Sequence, residues 1–479
     1  MLYDQDLLSI QEVRQMIKKA KVAAKKMSQF SQMQIDTIVE QMVKAAVAHA
    51  EELAKLAVEE TGFGVYKDKV TKNYFASKIL HDYIKDMKTV GVIHEDKEKK
   101  LLEIAVPVGV VAGLIPSTNP TSTAIYKCII AMKSANSIIL SPHPSARGVI
   151  SKTCEILTRA AKEAGAPDDV FQCMSMPTLQ GTRELMKNVD LILATGGKDM
   201  VKAAYSSGVP ALGVGPGNVP AFIEKSADIK KAVERILVSK TFDNGVICAS
   251  EQAVVTEDCI KDTVRTELIA QGAYFLDEEE AQKVGKVIMK TGGKLNAAIV
   301  GKSANAIAKI AGLSLSQEVR VLIYEEKGVG INYPFSIEKL SPVLAFYVEK
   351  DWVSACERCI EILEFGGIGH SLVIHSQDES IIREFALKKP ASRILVNTPS
   401  THGAIGATTH LAPALTLGCG AIGGSATSDN VTPLHLINIK HTAYGVKEAY
   451  EVEGIPKKSE EIDLEALTEK VMEILKNLK

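Results

Sequence analysis

Length, composition and charge already narrow the class of this protein. The chain has 479 residues and is expected to form two or three domains, because domains are typically about 100–200 residues long. Its 46% hydrophobic and 24% charged residues exclude a disordered or fibrous chain. The 56 basic and 58 acidic residues nearly balance, which argues against a nucleic-acid partner bound over a basic domain surface.

The sequence also carries no sign of export or membrane insertion. The first residues include early acids and no apolar core of signal-peptide length. No stretch approaches the roughly 20 apolar residues that span a bilayer. Eight scattered cysteines without an export signal are typical of reduced thiols. We therefore expect a cytoplasmic protein with no membrane partner.

The first sixty residues have helical periodicity. Ser9 and Glu12 stand at capping-box spacing, which predicts that the first helix begins there. A second amphipathic helix follows before the glycines of "TGFG". The residues on its apolar face are Ile35, Ile38, Val39, Met42, Val43 and Ala46.

The middle of the chain changes to short apolar runs separated by helical segments. Strands are predicted in "LLEIAVPVGVVAGLIP", "NSIILSP", "DLILATGG" and "VPAFIE", and after residue 248 in "SEQAVVTE", "NAAIVGK", "VRVLIYEE", "SPVLAFYVE", "HSLVIHS" and "SRILVNTP". Strands that alternate with helices imply parallel βαβ units, so the fold class is α/β. Two such blocks meet near residue 245, which suggests two domains with a cleft between them.

The end of the chain has a different character. A polar segment with Gly454 and Pro456 leads into "IDLEALTEKVMEILKNLK". This pattern predicts an amphipathic helix whose apolar face carries Leu464, Leu467, Val471, Ile474, Leu475 and Leu478. Such a helix either docks on its own domain or binds a partner surface through that face.

Cys248 is the first candidate for chemistry. It follows the Asn244-Gly245 turn in "TFDNGVICASEQ" and has small or polar neighbours, as catalytic thiols often do. The alternative is a small buried hydrophobe, the common role of a free cysteine. Cys356 and Cys359 form a C-x-x-C, but without a second pair or a histidine cluster the sequence predicts no metal site.

Two loops carry weaker signals. Asn119 lies between prolines in "PSTNPTST", where it is either a turn residue or an amide donor to an oxyanion. The Gly-Gly turn of "LILATGG" exposes backbone N–H groups at a helix start, a place that suits a phosphate. It is not the G-x-G-x-x-G fingerprint of dinucleotide-binding proteins.

Several segments together resemble a known family. They are "PSTNPTSTAIYK", "SPHPSA", "LILATGG", "GVGPGNVPAFI", "SKTFDNGVICASEQ", "EKLSPVLAFY", "GGIGH", "SRILVNTP" and "LAPALTLGCGAIGG". In order and spacing they resemble the aldehyde dehydrogenase superfamily over roughly residues 5 to 450. The resemblance is strongest to its CoA-acylating branch, as in the aldehyde dehydrogenase half of bifunctional alcohol/aldehyde dehydrogenases and the acetaldehyde dehydrogenases of ethanolamine utilisation. It implies two Rossmann-like α/β domains plus an oligomerisation flap.

The resemblance assigns roles to the candidate residues. Cys248 would attack an aldehyde to give a thiohemiacetal, which loses hydride to NAD and leaves a thioester. Asn119 would stabilise the oxyanion together with the backbone N–H of Cys248. The implied NAD-binding residues are Thr195, Gly196 and Gly197 beside the pyrophosphate, Glu338 at the nicotinamide ribose, and Ser141 and Pro142, where hydrolytic members have "LKP" with a lysine on the adenosine ribose.

One difference from hydrolytic relatives, at Val214, indicates the reaction. Val214 stands where those relatives carry the glutamate that activates water, so hydrolysis of the thioester should be slow. A better nucleophile, the thiol of coenzyme A, would take the acyl group. His370 of "GGIGH" matches a histidine that the acylating branch places near the cysteine; otherwise it is a hydrogen-bonded structural residue.

The expected activity is therefore NAD-dependent, CoA-acylating oxidation of a short-chain aldehyde, with acetaldehyde as the first choice. The alternatives are propionaldehyde or sulfoacetaldehyde as substrate, or a non-catalytic scaffold of a bacterial microcompartment. A scaffold would need neither Cys248, Asn119 nor Glu338. A hydrolytic dehydrogenase is opposed by Val214.

The resemblance also implies an organisation of the chain. The expected domains are an NAD-binding domain at 1–245, a catalytic domain at 246–430, a return segment at 431–454, and a linker with an amphipathic helix at 455–479. The expected assembly is a homodimer or homotetramer. By analogy with microcompartment enzymes, the terminal helix would be an encapsulation peptide that binds a shell protein, which would place the enzyme in the compartment lumen.

Overall fold

The computed structural model describes residues 4–290, 293–451 and 464–478. By their contacts these residues form two compact units. The first unit takes the described residues within Met1–Val90 and Val106–Asn438, and the second takes those within Gly91–Ala105 and Ile439–Lys479. The domain boundaries expected at residues 245, 430 and 454 are a finer division, and they stay predictions.

Helices and strands alternate along most of the chain. The helices are α1 (Gln5–Met27), α2 (Gln32–Ala48), α3 (Ala50–Thr61), α4 (Tyr66–Tyr74), α5 (Leu80–Ile84), α6 (Pro120–Lys133), α7 (Arg147–Glu163), α8 (Leu179–Asn188), α9 (Lys198–Tyr205), α10 (Ile229–Thr241), α11 (Lys261–Ala270), α12 (Glu278–Ile288), α13 (Ala304–Ile310), α14 (Trp352–Gly366), α15 (Glu379–Leu387), α16 (Ser400–Ala404) and α17 (Leu464–Asn477). The strands are β1 (Gly91–Asp96), β2 (Leu101–Pro107), β3 (Val110–Ile115), β4 (Ser137–Pro142), β5 (Phe171–Cys173), β6 (Leu191–Thr195), β7 (Ala211–Val214), β8 (Val219–Ile223), β9 (Glu251–Glu257), β10 (Ala273–Phe275), β11 (Met289–Lys290), β12 (Lys294–Leu295), β13 (Val321–Glu325), β14 (Val343–Glu349), β15 (Gly369–His375), β16 (Ala391–Val396) and β17 (Ile437–Ala443).

The second predicted helix is confirmed, whereas the predicted start of the first is wrong. α2 begins at a capping box of Ser31 and Gln34, and its buried residues are the six predicted ones. α1 begins earlier, with Asp4 accepting from the first backbone N–H groups. Ser9 lies inside α1 and its hydroxyl donates to the Met176 carbonyl oxygen at 2.5 Å. Ser9 therefore makes a tertiary contact and does not cap the helix. The spacing of Ser9 and Glu12 alone cannot distinguish these two roles.

The first unit contains two parallel sheets, which confirms the α/β class. The five-stranded sheet has the order β5-β4-β3-β6-β7. The seven-stranded sheet has the order β10-β13-β14-β9-β8-β15-β16. Burial continues without alternation along β3, β4 and β9 and over the first five residues of β14, because helices cover both faces of these sheets.

One predicted strand is wrong. "NAAIVGK" is a turn in which the Asn296 side chain accepts from the backbone N–H of Ala298, and a short 3₁₀ segment follows over Ala297–Ile299. Ile299 is fully buried, so the apolar run packs into the core from a loop. A run of only four apolar residues does not show whether the segment pairs with a neighbouring β-strand or is a buried loop.

The second unit has its own small sheet. β1 pairs antiparallel with β2, and β17 lies on the other side of β2. α17 confirms the predicted terminal helix, and all of its described residues are exposed. The preceding predicted linker falls largely on residues 452–463, which lie outside the described part of the chain. Among the described residues, no helix has the length and apolar character needed to cross a bilayer.

Candidate active site

A cavity of about 440 Å³ opens at the carboxyl ends of the five-stranded sheet. The ends of strands β3, β4, β6 and β7 form one wall of this cavity. Cys248 and Glu338, from later parts of the chain, also line the cavity. Ligands of open parallel sheets bind outside the carboxyl ends of the strands. The structure thus brings residues from both halves of the sequence to one candidate site.

Backbone geometry presents Cys248 to this cavity. Three successive residues, Asp243, Asn244 and Gly245, have φ values of 50°, 54° and 72°. Asp and Asn tolerate this left-handed region better than most residues, and Gly245 adopts it freely. The turn leads to Cys248, which is partly exposed while its neighbours Ile247 and Ala249 are buried. The Asn-Gly signal in the sequence therefore marks the turn that carries the thiol.

His370 is the direct partner of this thiol. It lies in β15, is fully buried, and its Nε2 is 3.2 Å from Cys248 Sγ. Burial, followed by the positive charge of Arg393, lowers the pKa of His370 to about 3. Burial, followed by the charge of Glu338, raises the pKa of the Cys248 thiol to about 12. Near neutral pH the pair is a thiol beside a neutral imidazole. The contact places Nε2 where it can accept the thiol proton, and both pKa shifts keep that proton on the sulfur in the resting site.

Two residues that sequence reasoning missed orient this imidazole. Ser371 Oγ is 3.1 Å from His370 Nδ1 and accepts from Arg393 Nε at 3.1 Å. Arg393 also donates through Nη2 to the His370 carbonyl oxygen at 2.9 Å. With the proton on Nδ1, both lone pairs of Ser371 Oγ are used and Nε2 remains an acceptor for the thiol. Ser371 and Arg393 are register partners on β15 and β16, a signal that only strand pairing reveals.

Asn119 lines the same cavity at the start of α6. Its side chain makes no capping bond to the helix. Instead Nδ2 donates to Thr118 Oγ1 at 3.2 Å, and Oδ1 accepts from Lys72 Nζ at 2.5 Å. The structure therefore brings the predicted amide donor and the predicted nucleophile into one cavity, as an oxyanion site requires.

The predicted phosphate-binding turn also borders this cavity. Thr195 ends β6, and its Oγ1 is buried without a hydrogen-bond partner among the described residues. Gly197 is the residue before α9, and a Cβ built there would meet no atom within 4 Å. An orphaned hydroxyl and open space at a helix start fit a phosphate-bearing group such as the pyrophosphate of NAD. Gly196, Ser141 and Pro142 line the same wall.

Ser141 and Glu338 have further partners. Ser141 Oγ is 2.9 Å from Thr182 Oγ1. Glu338 Oε1 accepts from the backbone N–H of Gly217 at 3.0 Å, and burial raises the pKa of Glu338 to about 7. Gly217 in turn packs against the Cys248 carbonyl oxygen, which would lie 2.0 Å from an added Cβ. The loop after β7 therefore contacts both the carboxylate and the nucleophile segment.

The charges around the cavity are few. Val214 ends β7 in the cavity wall and is 2% exposed. Of the described lining residues, Glu338 supplies the single carboxylate, and none is a lysine or arginine. Groups of at least three metal-ligating side chains do not occur among the described residues. The wall is thus largely apolar around a small number of polar groups, as in many small-molecule sites.

The chain is similar to known proteins over most of its length. Residues 3–275 match the aldehyde dehydrogenase family. The bifunctional aldehyde-alcohol dehydrogenase of Escherichia coli (strain K12) is 46% identical over 91% of this chain. The matched region covers 50% of that curated relative, so the chain spans about half of its length.

Two solved structures extend the similarity. An acetylating aldehyde dehydrogenase from Geobacillus thermoglucosidasius is 55% identical, with a TM-score of 0.92 over 93% of this chain and 99% of that one. A propionaldehyde dehydrogenase from a fucose utilisation microcompartment of Clostridium phytofermentans is 27% identical, with a TM-score of 0.81 over 90% of this chain and 97% of that one.

Proposed function

We propose, since the chain belongs to the aldehyde dehydrogenase family, that it oxidises a short-chain aldehyde to the acyl-CoA thioester, with NAD as the hydride acceptor. The observation that carries this proposal is the contact of 3.2 Å between Cys248 Sγ and His370 Nε2, at a cavity that Cys248 and Asn119 both line. A thiol, its base and an amide donor are the groups that addition to a carbonyl needs.

In the first step His370 takes the proton of Cys248 and the thiolate sulfur attacks the aldehyde carbon. The Asn119 amide and the Cys248 backbone N–H stabilise the oxygen that becomes negative. The low pKa of His370 opposes this transfer in the resting site, so the proton moves to Nε2 only as the sulfur attacks the aldehyde carbon. Thr195, Gly196 and Gly197 would hold NAD, which would supply the hydride acceptor; with the hydride removed from its carbon, the thiohemiacetal becomes a Cys248 thioester.

In the second step coenzyme A attacks the thioester carbonyl. The carbon–sulfur bond to Cys248 breaks, acyl-CoA leaves, and Cys248 regains its thiol proton. Aldehyde, NAD⁺ and CoA thiol thus give acyl-CoA, NADH and one proton. Val214 supports this outcome over hydrolysis, because its side chain cannot activate a water molecule. We assign Glu338 to the nicotinamide ribose and Ser141 and Pro142 to the adenosine side of NAD.

Among short-chain aldehydes we propose acetaldehyde as the substrate, and the 55% identity to an acetylating aldehyde dehydrogenase supports this choice. Propionaldehyde and sulfoacetaldehyde are the alternatives that kinetics must separate.

The test measures NADH formation from acetaldehyde and NAD, with and without CoA, for the wild type and for Cys248→Ala. We expect sustained turnover only with CoA and none in the variant. Equal sustained turnover without CoA would show that water reaches the thioester and would contradict the acylating reaction. Parallel assays with propionaldehyde and sulfoacetaldehyde rank the substrates. A wild-type protein that is inactive on all three aldehydes would favour the alternative function, a non-catalytic scaffold of a bacterial microcompartment.

We further propose that the second unit serves as the flap through which copies of the chain form a dimer or tetramer, and that α17 binds a microcompartment shell protein. The six apolar residues predicted on one face of α17 are between 49% and 77% exposed. Such an apolar face fits a groove on a partner. Residues 455–479 fused to a fluorescent protein should enter shells in cells that make them, and diffuse fluorescence would contradict targeting.

A further inference from the structure

A buried cluster of charges lies beside Asn119. The side chains of Asp243, Lys69 and Lys72 are 0%, 2% and 2% exposed. Lys72 Nζ donates to Asp243 Oδ2 and, at 2.5 Å, to Asn119 Oδ1. Lys69 Nζ donates to the same Asp243 oxygen at 3.0 Å and to the Thr118 carbonyl oxygen at 3.1 Å. Fully buried charges are rare unless they are paired, so this cluster needs an explanation.

We propose that Lys72 and Asp243 are positioning residues, which hold the Asn119 amide with its oxygen away from the substrate and its N–H₂ group available to the aldehyde oxygen. An ammonium group has three donors and no acceptor, so it can face only the amide oxygen. This contact selects one of the two amide orientations, which side-chain shape alone would not distinguish. One amide N–H donates to Thr118, and the second remains for the developing oxyanion.

Asp243 also connects this amide to the nucleophile. Its backbone is the first of the three left-handed residues that lead to Cys248. Its Oδ1 accepts from the backbone N–H of Val65 at 2.6 Å, and an added Cβ at Gly64 would lie 1.9 Å from that oxygen. The carboxylate is therefore clamped between α4 and the turn. One residue thus fixes the turn of the thiol and, through Lys72, the orientation of the oxyanion donor.

The proposal rests on the proposed aldehyde oxidation, and its test isolates the acylation step. The rate of the first turnover of NADH, measured with aldehyde and NAD but without CoA, is compared in the wild type, Lys72→Met, Asn119→Ala and the double variant. We expect a loss of about 100-fold in Asn119→Ala, as for other oxyanion donors. Lys72→Met should lose about tenfold, and the double variant should be no slower than Asn119→Ala. If the loss in the double variant equals the product of the two single losses, Lys72 acts independently of Asn119, and the proposal is overturned.

Lys69→Met is the matched control. Lys69 shares the burial and the carboxylate of Lys72 but does not contact the Asn119 side chain. We expect its first-turnover rate to stay within about threefold of the wild type. An equal loss of first-turnover rate in Lys69→Met and Lys72→Met would show that any buried charge has this effect, and would overturn the proposal. The rate at which iodoacetamide alkylates Cys248 should be unchanged in Lys72→Met; a parallel fall would place the defect in the turn of the thiol and overturn the proposal.

A second variant covers the case in which Lys72→Met does not fold. Lys72→Gln keeps an N–H donor for Asn119 Oδ1, so that amide oxygen does not lose its partner. Its smaller loss should likewise vanish in the Asn119→Ala background, and a loss that persists there would overturn the proposal. A wild type that forms no NADH from aldehyde contradicts the proposed function instead, so the two failures are distinguishable.

Discussion

At the scale of single residues, the site depends on a thiol that is protonated at rest and on a neutral imidazole beside it. The contact between His370 and Cys248 places the base, but the tautomer of His370 decides whether it can accept a proton. Ser371, itself held by Arg393, is the partner of Nδ1, and a proton on Nδ1 leaves Nε2 free to accept the thiol proton. The reactivity of the thiol therefore depends on residues that do not contact the aldehyde.

Replacement of Ser371 by alanine tests this dependence. Without the hydroxyl, His370 Nδ1 and Arg393 Nε lose their shared partner, and the ring is held less firmly against Cys248. We expect alkylation of Cys248 by iodoacetamide at pH 7 to slow by about tenfold. Ser371→Thr keeps the hydroxyl and should restore most of the rate. Equal rates in wild type and Ser371→Ala would show that Ser371 has no part in the orientation.

A glutamate at position 214 should open a hydrolytic route. Val214 is buried in the cavity wall, and burial would raise the pKa of a carboxyl group there toward neutrality, which suits a general base. We expect Val214→Glu to increase sustained NADH formation without CoA by at least about tenfold. Val214→Gln has a similar shape without a base and serves as the control. A similar gain in both variants would point to altered packing rather than base catalysis.

At the scale of elements, strand ends and turns bring together the side chains of the proposed active site, which lie far apart in the sequence. Cys248 follows a left-handed turn, His370 lies near the start of β15, and Asn119 lies at the start of α6. The loop between β7 and β8 completes the arrangement, because Gly217 contacts the Cys248 backbone. These segments come from four separate parts of the chain.

Gly217→Ala tests the fit of this loop. An added Cβ would lie 2.0 Å from the Cys248 carbonyl oxygen and 3.4 Å from His370 Cε1, so one of the two segments must move. A shift of about 1 Å can lower a catalytic rate by about 100-fold, and we expect the first-turnover rate to fall by at least tenfold. Alkylation of Cys248 by iodoacetamide should slow in Gly217→Ala as well. Gly215→Ala, in the same loop, places its Cβ in open space and should slow that alkylation far less. Similar alkylation rates in the two variants would contradict this view of the loop.

At the scale of the whole molecule, buried ionisable groups link stability to pH. Burial, followed by the charge of Arg235, lowers the pKa of His375 to about 3, and neither ring nitrogen has a hydrogen-bond partner among the described residues. Between about pH 6.5 and pH 3 the unfolded chain takes up a proton that the folded chain does not. The stabilisation is therefore complete above about pH 6.5 and is lost as the pH falls.

His375→Phe should weaken this dependence. The wild type should lose on the order of 1 kcal/mol per pH unit through this group over that range, whereas the variant has no histidine to titrate there. Glu251 and Glu338, whose pKa values burial raises to about 7, contribute the opposite slope in both proteins, so the comparison is between variants. Melting temperatures at pH 7 and pH 5 measure the effect. The control is His410→Phe at an exposed position, and an equal change in both variants would contradict the assignment.

The α/β class and most strands could be predicted from local patterns, because a buried parallel strand leaves an uninterrupted apolar run in the sequence. The start of α1 and the turn at Asn296 could not, since Ser9 and Ile299 meet their partners only across the fold. The family resemblance named Cys248, Asn119, Glu338 and His370 as candidates. It did not name Lys72, Asp243, Ser371 or Arg393.

By itself the sequence determined the fold class, the family and the residues able to carry the chemistry, because these depend on residue type, order and local spacing. Only the tertiary structure decided which groups meet: the thiol with a neutral imidazole, the amide oxygen with Lys72, and Val214 with the cavity wall. These contacts join residues up to 122 positions apart. They depend on strand order and register, which local patterns leave open because each strand can pair with many others before the sheet is assembled.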